Sequence, residues 1–107
     1  MIRKKNRTLE MYKNAGAKMR LFKELGTKLM VDLNPLLSAK DNDKVHKIMS
    51  DVSGICSHAE DNMFSDFPEL SNEYIDVFYG TTSMQPRNDV DKEIINLAKT
   101  LSDELFL

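Results

Sequence analysis

Between Thr8 and Leu33 the positions Tyr12, Ala15, Met19, Phe22, Gly26, Leu29 and Leu33 follow one another at intervals of three and four. That spacing is a heptad seam, and only a helix puts such positions on one face. Met11, Leu21 and Leu25 widen the stripe, whereas Lys13, Arg20, Glu24 and Lys28 are expected on the opposite, solvent-facing side. The helix is predicted to stop near Leu33, because Pro35 has no amide proton and disfavours the α conformation at Asn34. Asn34 is then placed to cap a short turn from Pro35 to Ala39.

After the polar break at Lys40-Asp41-Asn42-Asp43, a second amphipathic helix follows from Val45, Ile48, Met49, Val52, Ile55, Cys56, Ala59 and Met63, capped by Asp41 or Asp43. Ser65 and Asp66 interrupt it. Pro68 suits a first helical turn, and Leu70, Tyr74, Ile75, Val77 and Phe78 predict a short third helix ending at Gly80. A fourth runs from about Asn88 to Leu105 on Val90, Ile94, Leu97, Ala98, Leu101 and Leu105. Period-two alternation never lasts long enough to predict a strand. The expected fold is all-α, an antiparallel four-helix bundle with a long first helix and a short third one. Gly16, Gly26 and Gly54 fall inside these helices, which calls for close helix crossings there or for different boundaries.

At 107 residues the chain is expected to form a single domain over 1–107, with residues 1–7 a basic segment able to stay flexible. No window reaches the roughly 18–20 apolar residues of a membrane span. The basic start is not followed by the apolar core of a secretory signal, and Cys56 has no disulfide partner in the chain. The expected location is the cytoplasm.

Charge changes the picture most. Residues 1–28 carry nine Lys and Arg against two Glu, whereas residues 48–86 carry seven Asp and Glu and neither Lys nor Arg. The net charge of −2 hides two opposite fields. Catalytic and metal chemistry find no footing. His46 and His58 are too far apart along the second helix to share an ion, and Cys56-x-His58 points two ways. Asp41-Asn42-Asp43 opens like a calcium loop but has His46 where Gly is wanted and Val52 where Glu is wanted. Glu60 and Asp61 diverge on their helix and read as a solvated face, and no Gly-rich loop follows a strand. Neither an enzyme activity nor a cofactor is expected.

Two binding surfaces remain. Arg3, Lys4, Lys5 and Arg7, continued by Lys13 and Arg20, could track nucleic-acid phosphates, or could complement the chain's own acidic half. The acidic stretch holds Phe64, Phe67, Tyr74, Phe78 and Tyr79, five of the eight aromatics. Rings surrounded by carboxylates suit a basic protein partner: anchors for buried area, acids for steering. Phe78 and Tyr79 cannot both point inward. The sequence Asp76-Val77-Phe78-Tyr79-Gly80 resembles the short third helix of the small four-helix immunity proteins that neutralise nuclease bacteriocins. The resemblance implies an acidic helical face with paired aromatics that binds a toxin's basic surface. It covers five residues, and the basic first helix departs from it, as do Phe78, Tyr79 and Gly80 in place of the family's paired tyrosines and proline.

The expected function is a non-enzymatic protein-interaction module, such as an inhibitor, immunity-type protein or adaptor, that binds a basic partner through Glu69, Glu73, Asp76, Phe78 and Tyr79. The alternatives are nucleic-acid binding through the basic first helix and a small structural or assembly subunit. The first helix is longer than its neighbours can cover, so its surplus seam is free to pair with a second chain as a homodimer.

Overall fold

The computed structural model describes residues 6–82 and 85–106, and of Phe106 the backbone alone. Three α-helices are found among the described residues: α1 (Leu9–Leu33), α2 (Ala39–Asp66) and α3 (Asp89–Phe106). The fold is all-helical, but the four-helix count is corrected to three, because the expected third helix is a single 3-10 turn at Asn72–Tyr74 within a chain of turns.

Each end of these elements has a local cause. The Thr8 hydroxyl accepts from the Met11 amide and starts α1. Pro35 ends it, and Asn34 serves as its C-cap, donating its amide to the Met30 carbonyl instead of capping the next turn. Ser38, not Asp41 or Asp43, caps α2, with the Asp41 amide 3.2 Å from its hydroxyl and the Asp41 carboxylate in the first turn. The Asn88 side chain accepts from the Asp91 amide at 2.8 Å and opens α3.

The α1–α2 pair is an antiparallel hairpin: Gly26 faces Met49, and at its base the Tyr12 hydroxyl donates to Asp66. α3 packs on the other side of α1 and runs in the same direction. Its start meets Lys13 and Arg20, and its end, Leu101 and Leu105, meets Leu21 and Leu25. α1 is therefore central, and the segment of residues 67–82 lies across it. Ala17, Cys56, Met63, Val77, Phe78, Val90, Ile94 and Ala98 form the core where these parts meet.

The face of α1 turned to this core is not the expected one. Its buried residues are Lys13, Gly16, Ala17 and Arg20. Tyr12, Met19, Gly26 and Leu33 of the heptad seam are half-buried on the α2 side, and Ala15, Phe22, Leu25 and Leu29 are exposed. Only two helices and one turn segment cover α1, and the turn segment needs hydrogen-bond donors that an apolar face cannot supply.

Candidate functional site

Arg20 explains how the polar face became the inner one. Its side chain is fully buried, and it donates to the carbonyls of Asp76, of Val77 at 3.0 Å and of Thr81 at 3.0 Å. Its Nη1 also lies 2.7 Å from Asp91 Oδ1, while the Arg87 amide donates to Asp91 Oδ2 at 2.9 Å. A buried guanidinium is tolerated only when its forked donors are paired, and here three carbonyls and a carboxylate pair them. Along the same segment the amides of Tyr74, Ile75, Val77 and Tyr79 close i→i−3 turns, and the Asp76 carbonyl accepts from the Gly80 amide as well as from Arg20.

Two glycines complete the seat. A Cβ on Gly16 would stand 2.5 Å from Val77 Cγ1 and 2.6 Å from the Val77 carbonyl oxygen, so only glycine lets the turn lie this close. A Cβ on Gly80 would overlap the Arg20 guanidinium.

The remaining basic candidates are also engaged. Lys13 Nζ lies 2.7 Å from Glu93 and 5.8 Å from the centre of the Tyr74 ring. Burial lowers its proton affinity, but the hydrogen bond and charge of Glu93 more than reverse this and leave the ammonium above its ordinary value. Arg7 pairs with Asp66, Nη2 donating to Oδ1 at 2.9 Å, and that hydrogen bond holds it more firmly protonated. The expectation that Lys13 and Arg20 decorate a solvent face is corrected: both are buried against α3, on Glu93 and Asp91, and Arg7 pairs with Asp66 of the acidic stretch. Arg3, Lys4 and Lys5 lie outside the described residues.

Of the acidic candidates, Phe78 is in the core at 3% exposure, which removes it as a contact residue, whereas Tyr79 is 37% exposed. Asp76 holds Arg87 at 2.8 Å. Glu69 and Glu73 are exposed on the segment leading to Tyr79. Tyr79 reaches back to α2, beside Ser57, Glu60 and Asp61, and the Lys23 ammonium stands 4.9 Å from its ring centre. Burial raises the Tyr79 phenol, Ser57 draws it back, and the charges of Glu60 and Asp61 raise it further. Burial likewise raises the Glu60 carboxyl, and Asp61 and Asp76 add to it. Glu60 and Asp61 were legible only as members of an acidic run; their meeting with Tyr79 depends on where Arg20 draws the turn.

A second surface lies on the other side. Met11, Phe22, Leu25 and Leu29 of α1 and Ile48 and Ile55 of α2 are each 38–62% exposed. A groove of about 750 Å³ runs between α1 and α3, lined by Leu21, Phe22, Leu25, Leu101 and Leu105 and by the charged Lys18, Glu24, Lys28 and Glu104. Among the described residues no three His, Cys, Asp or Glu side chains are placed to hold a metal ion, and no helix is long and apolar enough to cross a membrane. His46 and His58 are both exposed. Cys56 is buried in the core, and burial raises its thiol above the ordinary value.

Comparison with protein-family models, with curated proteins and with solved structures finds no match to this chain. The likeness to immunity proteins loses its footing as well. Its short third helix is a run of turns here, and one of its two aromatics is in the core.

Proposed function

We propose that the protein is a non-enzymatic interaction module that takes a basic protein surface on the acidic face around Tyr79. One observation carries this reading. Tyr79 stands exposed beside Glu60 and Asp61, which form no ion pair among the described residues, while Arg7, Lys13 and Arg20 are spent on Asp66, Glu93 and Asp91. The Glu60 carboxylate, whose proton is held more tightly by burial and then by the charges of Asp61 and Asp76, is relieved by an incoming cation, and the amphipathic Tyr79 ring beside it supplies an anchor. The same pairing weighs against the nucleic-acid reading, since Lys13 and Arg20 cannot reach phosphates without opening the core.

The test starts from partners recovered from nuclease-treated native lysate and measures binding of the purified partner to variants. Tyr79→Ala and the double variant Glu60→Gln/Asp61→Asn are each expected to weaken binding at least tenfold, with affinity falling as salt rises, the behaviour of steered interfaces. Unchanged affinity in both folded variants overturns the reading. A second reading, an assembly subunit, is favoured by the apolar surface across α1 and α2.

A further inference from the structure

We infer that two copies of this chain pair antiparallel through the back of α1, a contact that rests on the assembly reading and not on the acidic face. The exposed side of α1 carries a heptad seam of its own: Met11, Ala15, Lys18, Phe22, Leu25, Leu29 and Asp32 step by four and three. All seven are exposed. At 100° per residue Phe22 lies about 160° around α1 from Arg20, which puts the seam opposite the covering turn. Ile55 lies about 140° around α2 from Glu60, with the buried Cys56 and Met63 between them, so Ile48 and Ile55 share that back face.

Three observations choose a second copy as the occupant. The first is size. Met11, Phe22, Leu25, Leu29, Ile48 and Ile55, each about half exposed, present on the order of 600 Å² of largely apolar surface, the upper end of what a monomer leaves and approaching the ~800 Å² per partner of a standard interface.

The second is charge. Two seams packed parallel in register would set Lys18 against Lys18 and Asp32 against Asp32. Packed antiparallel, with Phe22 opposite the partner's Leu25, they set Lys18 opposite the partner's Leu29. The partner's Asp32 is then only about 4.5 Å further along the axis, within reach of the lysine.

The third is symmetry. Gly26 faces Met49, so in the antiparallel hairpin Ile48 and Ile55 stand level with about residues 27 and 20 of α1. Those levels are equally spaced about the Phe22–Leu25 midpoint. A two-fold axis there brings Ile55 of each copy to the side of the partner's Ile48, as a self-complementary contact requires.

Sedimentation equilibrium over a wide concentration range, with circular dichroism to confirm folding, tests the proposal. The chain is expected to dimerise, and Leu25→Glu, an exposed position in the monomer, is expected to give a folded monomer. Lys18→Asp alone is expected to weaken the dimer about tenfold, by turning two flanking attractions into repulsions, and Lys18→Asp/Asp32→Lys to restore it. Spin labels at Met11→Cys in a Cys56→Ala background are expected about 35–40 Å apart, since Met11 lies level with the partner's Leu36. A monomer at every concentration, a double variant as weak as the single one, or labels within about 20 Å overturns it. A monomeric result leaves the Tyr79 reading intact, because binding of a basic partner is measured separately.

Discussion

Tyr12 shows how one side chain joins the start of α1 to the end of α2. Its ring packs edge-on against Phe67 at 6.3 Å, and its hydroxyl donates to Asp66, which also holds Arg7. Burial, then the hydrogen bond to Asp66 and its charge, pushes the phenol up to about 12 from an ordinary 10. The sign follows: the folded state keeps a proton that the unfolded chain loses first, so the contribution is complete below pH 10 and is lost as pH rises from 10 to 12. An absorbance titration is expected to show a tyrosinate step near pH 12 that Tyr12→Phe removes. At neutral pH the same substitution is expected to cost about 1 kcal/mol in urea unfolding, the worth of one hydrogen bond. At this scale the sequence was informative about pairs and silent on partners. That Phe78 and Tyr79 must split, one inward and one outward, followed from their adjacency; that Tyr79 would meet Glu60 and Asp61 on α2 did not.

Elements were legible where local chemistry decides them. α1 and α3 lie within a residue of their predicted bounds, because caps and periodicity act over one or two turns. The third element was misread: its amides close i→i−3 turns, and its last carbonyls are also seats for Arg20, some 56 residues earlier in the chain, a contact that local periodicity does not carry. The glycines separate the two kinds of information. Gly16 accommodates the Val77 backbone, whereas Gly54 has nothing near its missing Cβ. Gly16→Ala is therefore expected to destabilise by about 1–3 kcal/mol through overpacking, and Gly54→Ala to stabilise by about 0.5–1 kcal/mol through helix propensity. Thermal or urea unfolding of the two variants checks both signs. A loss at Gly54, or none at Gly16, would contradict the packing described here.

Across the whole molecule, the segregation of charge turns out to be built inward. Arg7 closes on Asp66, and Lys13 and Arg20 of the first helix close on Glu93 and Asp91, while Glu60 and Asp61 stand beside Tyr79 without an ion pair among the described residues. The heptad seam was read as an apolar face with a surplus beyond what its neighbours cover, and the structure half-buries Tyr12, Met19, Gly26 and Leu33 of it and leaves Ala15, Phe22 and Leu29 exposed. Its spacing is the same whether the covering surface belongs to the same chain or to another, so periodicity alone could not tell them apart. The account stands on the Arg20–Asp91 pair, which with the carbonyls of Asp76, Val77 and Thr81 seats the turn segment and the start of α3 on the polar face of α1. A double-mutant cycle by urea unfolding tests it directly, with Arg20→Met, Asp91→Asn and the double variant. Each single change is expected to cost about 3–5 kcal/mol, because it strands a buried charge or its partners, with a coupling of about 2 kcal/mol between them. Single losses below about 1 kcal/mol, or strictly additive ones, would contradict a buried pair at the centre of this fold.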